Sequence, residues 1–269
     1  KDKVLFCQDD DLFPAFYAFD KKTGDIIWKD DRNDMAVNYS HPVICETDAG
    51  DEIVVAGTGL LIGYDPATGK RLWKSRTLLR NIKTTPVSQD GTIYISLQSS
   101  GIANQWLATA DRSETGNNDG KLSKQEMQAF VGETKIPPAF YRKTFDRGDA
   151  NQDGVLEGEE LDVAFLSPDN FAGATFDVEE PGDEFVMAVK GGGRGEVTAS
   201  HLLWKHETKY TDHIVSPFVH EGRMLLVKGG GITTVFETRQ GHEVRSTKRI
   251  PNACEYFASP IYGDGKIYV

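Results

Sequence analysis

The chain has 269 residues, with 30 Lys and Arg against 41 Asp and Glu, a formal net charge of −11 at pH 7. Its longest apolar runs, such as Ile53-Val-Val-Ala-Gly57 and Met224-Leu-Leu-Val227, stop far short of the roughly 20 residues that cross a bilayer, so no membrane span is expected. An acidic balance without a Lys/Arg cluster argues against a nucleic-acid partner. Cys7, Cys45 and Cys254 have no metal-ligand spacing and lie in strand-like sequence, which predicts small buried hydrophobes. The chain opens Lys-Asp-Lys-Val without an initiator Met, which predicts a processed or cut N-terminus.

Hairpins come first in chain order. Ala18-Phe-Asp20-Lys-Lys-Thr23-Gly24-Asp-Ile-Ile-Trp28-Lys29 returns 45 residues later as Gly63-Tyr-Asp65-Pro-Ala-Thr68-Gly69-Lys-Arg-Leu-Trp73-Lys74. In each, an aromatic strand runs into Asp, the Asp-x-x-Thr-Gly segment turns with Gly at positive φ, and a second strand carries Trp inward. Proline-led units accompany them: His41-Pro42-Val43-Ile44, then Thr85-Pro86-Val87-Ser-Gln-Asp90-Gly91-Thr-Ile93-Tyr-Ile95. Proline opens a strand where no ladder N–H is needed, and Asp-Gly makes the tight turn to the next strand.

Strand-like sequence stops near Ser100 and resumes at Phe185-Val-Met-Ala-Val189. This marks 101–183 as an insertion at a hairpin tip, where added chain is best tolerated. Beyond it, 197–205 ends in a third Trp-Lys, Trp204-Lys205, and a proline unit follows at Ser216-Pro217 with Glu221-Gly222. A worn hairpin over 236–245 keeps Gly241 and lacks the Trp, and the last proline unit is Ser259-Pro260 with Asp264-Gly265.

The prolines at 42, 86, 217 and 260 are 44, 131 and 43 residues apart, and the long step exceeds one repeat by 87 residues. A period of 43–45 residues with four short strands per unit predicts β-propeller blades, whereas a β-sandwich gives no reason for a fixed period. The expected fold is mainly β. It is a partial β-propeller of four-stranded antiparallel blades over 1–100 and 184–269, with an inserted α-helical EF-hand module over 101–183. Ending in mid-blade at Val269, after about four and a half repeats, the chain reads as part of a longer protein.

Within the insertion, Asp149-Ala-Asn151-Gln-Asp153-Gly154-Val155-Leu156-Glu157-Gly-Glu159-Glu160 fits a twelve-residue EF-hand loop. Asp149, Asn151 and Asp153 supply side-chain oxygens at positions 1, 3 and 5, and Val155 supplies a carbonyl at 7. Glu157 acts through water at 9, and Glu160 closes the loop at 12 with two oxygens. Gly154 at position 6 allows the sharp turn, and a set of hard oxygens favours Ca²⁺ over Zn²⁺ or Mg²⁺. Phe140, Tyr141 and Phe145 before the loop, and Leu161 and Phe165 after it, form the apolar faces of two helices, the first starting near Pro137-Pro138.

A second, upstream loop aligns on Gly120, with Asn117, Asp119, Lys121 and Glu126 at positions 3, 5, 7 and 12. Position 1 falls either on Thr115 or on Asp111, and the latter makes a sixteen-residue loop. Met127, Phe130 and Val131 give its exiting helix an apolar face. Leu122 and Leu156 are expected to lie together between paired loops, with the upstream loop the weaker metal site because it carries fewer charged ligands.

The repeats resemble the quinoprotein-like, or PQQ-like, β-propeller family, whose blades carry an Ala-x-Asp-x-x-Thr-Gly-x-x-x-Trp docking motif. The resemblance covers nearly all residues outside the insertion. It implies Trp28, Trp73 and Trp204 packed between blades, in a bacterial protein of the periplasm or the exterior. Millimolar Ca²⁺ there keeps a structural EF-hand site loaded.

The remaining candidates carry no reaction. His201, His206, His213 and His220 lack HxH or HExxH spacing, and Gly191-Gly-Gly193 and Gly229-Gly-Gly231 match no phosphate loop. Met35, Met127, Met187 and Met224 are too scattered for the target groove of a calcium sensor. The function expected is a calcium-binding propeller scaffold whose face engages a protein or polymer ligand. The alternative that the resemblance implies is a PQQ-dependent quinoprotein dehydrogenase. Members with that activity stack adjacent cysteines on the quinone, and no Cys-Cys occurs here, so Ca²⁺ and not PQQ is the expected cofactor.

Overall fold

A computed structural model describes residues 2–9, 13–32, 38–57, 60–76, 83–98, 110–112, 114–133, 145, 148–158, 160–161, 164, 184–208, 214–251 and 255–269. The first sheet is β1 (Lys3–Gln8), β2 (Ala15–Asp20) and β3 (Ile26–Asp31), each antiparallel to the next. The second runs β4 (Val43–Thr47), β5 (Gly50–Gly57), β6 (Leu60–Tyr64) and β7 (Arg71–Arg76) in spatial order. The third begins with β8 (Val87–Gln89) and β9 (Thr92–Gln98). Next along the chain are β10 (Leu122–Ser123), helix α1 (Lys124–Glu133) and β11 (Val155–Leu156).

Strand β12 (Glu184–Lys190) returns beside β9 with Glu184 facing Gln98, so the chain leaves and re-enters this sheet at one hairpin end. After β13 (Gly195–Glu196), β14 (Leu202–Glu207) completes the third sheet, in the order β14-β12-β9-β8. The fourth sheet is β15 (Phe218–His220), β16 (Arg223–Lys228), β17 (Ile232–Glu237) and β18 (Glu243–Arg249). A ribbon of β19 (Ile261–Gly263) and β20 (Lys266–Tyr268) follows.

Local chemistry explains the hairpins. Asp20 Oδ1 accepts from the N–H groups of Lys22 and Thr23 at 2.8 and 3.1 Å, and Gly24 at φ +79° donates back to Asp20 O. Asp65 does the same for Ala67 and Thr68, with Gly69 at φ +71°. In the worn copy Glu237 replaces Asp and still accepts from Arg239 and Gln240, which is why that turn survives without its Trp. The proline units turn at Asp90-Gly91, Glu221-Gly222 and Asp264-Gly265, where both residues have positive φ, the geometry that matches strand twist.

First strands lie side by side, β4 against β8 and β8 against β15, as radial blades require. A hydrogen-bond chain joins them at the residue before each proline. His41 N donates to Thr85 Oγ1 at 3.2 Å, Thr85 N to Ser216 Oγ at 2.8 Å, and Ser216 N to Ser259 Oγ at 3.0 Å.

Between the sheets lie three apolar cores. Phe16, Ala18 and Trp28 meet Ile53, Val55, Ile62 and Tyr64, while the alternate residues Val54 and Ala56 of β5 meet Ile93, Ile95, Phe185, Met187 and Val189. On the far side of β12, Val186 and Ala188 join Trp204, Met224, Leu226 and Phe236. Strands buried on both faces need continuous apolar sequence, which is what Ile53-Val-Val-Ala56 and Phe185-Val-Met-Ala-Val189 supply.

Trp28, Trp73 and Trp204 are all buried. Trp28 lies on the next sheet's Gly69, with its Nε1 donating to Pro66 O at 3.2 Å, and Trp204 lies on Gly241, donating to Thr238 O at 2.9 Å. Trp73 departs from this pattern. The third sheet has no Asp-x-x-Thr-Gly turn, so Trp73 lies against Gly63 of its own sheet and donates to the buried Glu52 carboxylate at 3.0 Å.

The second blade also departs from the expected four strands. Glu52 accepts from Gly192 N at 3.0 Å, which anchors the long connection between β12 and β14. That connection adds β13 as a fifth strand, parallel to β7, with Gly195 opposite Trp73 and Glu196 opposite Lys74.

Candidate metal centre

Both loops of the insertion are built by the same hydrogen bonds. In the downstream loop, Gly154 N donates to Asp149 Oδ2 at 3.0 Å, Asp153 N to Asn151 Oδ1 at 2.9 Å, and Val155 N to Asp153 Oδ1 at 2.8 Å. Gly154 has φ +83°, and Ala150 N reaches Glu160 Oε1 at 3.1 Å, which brings the last carboxylate back to the loop's start. In the upstream loop, Gly120 N donates to Asp111 Oδ2 at 3.0 Å, Asp119 N to Asn117 Oδ1 at 2.9 Å, and Lys121 N to Asp119 Oδ1 at 2.9 Å. Gly120 has φ +80°.

Asp111, and not Thr115, therefore does the work that Asp149 does downstream. The extra residues fold back over it: Asn118 N donates to Asp111 O at 2.9 Å, and a Cβ on Gly116 would come within 1.9 Å of that oxygen. The loops are joined by the short ladder of β10 and β11, in which the buried Leu122 faces the buried Leu156.

Their carboxylates differ in one respect. Upstream, Glu126 Oε2 accepts from Ser123 N and Oγ at 2.8 and 2.7 Å, Glu126 Oε1 from Asn117 N at 3.1 Å, and Asp111 Oδ1 from Asp119 N at 2.9 Å. Downstream, Asp149 Oδ1 and Glu160 Oε2 are buried and accept no hydrogen bond. Carboxylate oxygens buried without a donor lose the hydration of a charge, and a cation restores it. The downstream residues fit Ca²⁺, and the upstream ones satisfy themselves. Among the described residues no three His, Cys, Asp or Glu side chains form a ready-made metal cluster, so an ion held here would also need Asn151 and the Val155 carbonyl.

Two lysines cross from the upstream hand. Lys124 Nζ lies 3.4 Å from Asp149 Oδ2, and Lys121 pairs with Glu157, whose hydrogen bond and charge raise the lysine's pKa. Sequence spacing offers Lys121 only as position 7 of its own loop and does not single out Lys124, because ion pairs between loops leave no mark on either loop's spacing. Phe145, Leu161 and Met127 are buried. Met35, Pro137, Pro138, Phe140, Tyr141, Phe165, His213 and Cys254 lie outside the described residues.

Residues 1–134 match the family model described as outer membrane protein assembly factor BamB. With the Asp-x-x-Thr-Gly turns, the docked tryptophans and the adjacent first strands, this decides the fold. The chain is a PQQ-like β-propeller.

Solved structures resembling the propeller include the computationally designed Ika8 protein, at TM-score 0.48 and 9% identity, covering 99% of this chain and 52% of that one. Quinohemoprotein alcohol dehydrogenase ADHIIG from Pseudomonas putida HK5 gives TM-score 0.48 at 12% identity, covering 99% and 36%. BamB from Moraxella catarrhalis gives 0.31 at 14% identity, covering 99% and 78%. The propeller thus spans about half or less of the first two chains. No curated protein matches it.

On the face formed by the Asp-Gly turns, a cleft of about 640 Å³ opens between the second and third blades. Asp48, Asp90, Lys190, His201 and Leu203 line it. Among the described residues no helix is long and apolar enough to cross a membrane.

Proposed function

We propose that this chain is a calcium-binding β-propeller scaffold. In this reading the 149–160 loop holds one structural Ca²⁺, and the propeller face engages a protein or polymer ligand. The observation that carries the calcium part is the pair of buried, unpartnered oxygens, Asp149 Oδ1 and Glu160 Oε2. With Asn151, Asp153 and the Val155 carbonyl they make a hard-oxygen donor set, and Glu157 completes it through water. The ion would neutralise these carboxylates and tie the loop's two ends together. Gly154 and Asp149 hold the bend that allows this, and the Leu122–Leu156 ladder braces it.

A protein ligand is supported by the family description, an outer membrane assembly factor, and the cleft between the second and third blades offers mixed charge for docking. A periplasmic or secreted setting follows, where abundant Ca²⁺ keeps such a loop loaded. The deciding experiment is calorimetric titration of the full chain after chelation. Uptake of Ca²⁺ in preference to Mg²⁺ is the expected result, and no uptake at millimolar Ca²⁺ overturns the reading.

A further inference from the structure

Lys124 opens α1 and so belongs to the upstream hand, yet it grips the downstream loop at three points. Its N–H donates to Gly154 O at 3.0 Å, and its Cδ is the nearest atom to a Cβ built on Gly154, at 3.8 Å. Its Nζ lies 3.4 Å from Asp149 Oδ2, and the Phe145 ring centre is 5.5 Å from the same ammonium. The Asp149 side chain is 4% exposed, so this charge meets a carboxylate that water barely reaches. Beside it, Lys121 pairs with Glu157.

We propose that Lys124 is a tethered counter-charge of the 149–160 loop, which steadies the loop when it holds no ion and opposes the entry of a divalent cation. The inference rests on the calcium reading above. The loop carries Asp149, Asp153, Glu157, Glu159 and Glu160 within twelve residues, and like charges at this spacing repel. An ammonium on Asp149 and another on Glu157 relieve part of that repulsion. The same ammonium raises the cost of placing two further positive charges beside Asp149. Lys124 thereby shifts the loop toward filling only where Ca²⁺ is plentiful, while keeping it folded where the ion is scarce. The upstream hand then has a role that needs no metal of its own: it presents Lys121 and Lys124 to its partner loop.

The test is calorimetric Ca²⁺ titration of the full chain, comparing the parent with Lys124→Met, Lys124→Gln and Lys124→Arg, together with thermal melts of the chelated proteins. Lys124→Met keeps the aliphatic stem over Gly154 and deletes the charge. It should bind Ca²⁺ roughly five-fold more tightly, about 1 kcal/mol, and Lys124→Gln should follow it. Their chelated forms should melt lower, and Lys124→Arg should stay near the parent in both measurements. A Lys124 that only braced the loop would give weaker binding in both neutral variants. Unchanged or weaker binding by those variants, with the parent still taking up Ca²⁺, overturns the inference alone. No uptake by the parent overturns the calcium reading and the inference with it.

Discussion

Thr85 N donates to Ser216 Oγ at 2.8 Å across 131 residues of chain. Both residues precede a proline, and the same bond joins His41 to Thr85 and Ser216 to Ser259. Each pre-proline hydroxyl is therefore a clasp between the first strands of adjacent blades. Ser216→Ala should strand the Thr85 N–H and cost about 1–2 kcal/mol, whereas Ser216→Thr should keep most of the stability. Denaturant midpoints check this. Equal midpoints for the parent and the alanine variant would show that the clasp contributes nothing.

Tryptophan docking gives a sharper contrast between two glycines of like conformation. Gly69 has φ +71° and lies under Trp28, with a Cβ falling 2.5 Å from the ring, while Gly24 has φ +79° and nothing within 4 Å. Gly24→Ala should cost only the backbone strain of a non-glycine residue at positive φ, about 1 kcal/mol. Gly69→Ala adds displacement of the indole and should cost about 3 kcal/mol or more. Thermal melts of the two variants decide the matter, and similar losses at both sites would mean that Trp28 is not a rigid part of the joint.

The blades were legible because their signals are local. Asp-x-x-Thr-Gly fixes a turn by hydrogen bonds within five residues, and Asp-Gly fixes another by φ alone. The joints between blades were legible only where a repeat advertised them. The Trp register announced inter-blade packing, and all three tryptophans lie in cores between sheets, with Trp28 and Trp204 alone docked on the next sheet's glycine turn. A Ser or Thr precedes three of the four repeat prolines, but proline accounted for the repeat and the hydroxyl's long-range partner has no sequence signature. Trp73 shows the limit most clearly. Its partner Glu52 lies in another strand of the same blade, and Gly192, which shares that carboxylate, is 140 residues from Glu52. Asp111 was legible as a candidate at position 1, but choosing it over Thr115 required seeing its carboxylate meet Gly120 N.

Glu160 is the ligand whose loss should matter most. One of its oxygens holds Ala150 N and the other is buried without a partner. Glu160→Gln removes a full charge and turns one acceptor into a donor, so Ca²⁺ affinity should fall by roughly tenfold or more. Glu126→Gln, made in the self-satisfied upstream loop, should change uptake far less. Titration of both variants ranks the two loops. Greater loss from Glu126→Gln would transfer the site upstream.

The last prediction concerns alkaline stability. Cys7 Sγ donates to Asp9 Oδ2 at 3.3 Å, and Asp9 also receives Arg32 Nε and Nη2 at 2.7 and 2.8 Å in a fully buried pair. Burial pushes the Cys7 thiol up to about 12, with Arg32 opposing and Asp9 reinforcing the shift. An unfolded cysteine titrates near 8.5, at about the level where the folded one has barely begun to lose its proton. From roughly pH 8.5 to 12 the unfolded chain has therefore released a proton that the folded chain keeps, and stability must fall as pH rises. Below that window the contribution is fully present. Tyr64, also raised by burial, pulls in the same direction at higher pH. Cys7→Ala removes one of these groups while leaving Asp9 its two bonds from Arg32, so its denaturant midpoint should fall less between pH 7 and 11 than the parent's. Parallel declines in the two proteins would show that the thiol is not the group that titrates.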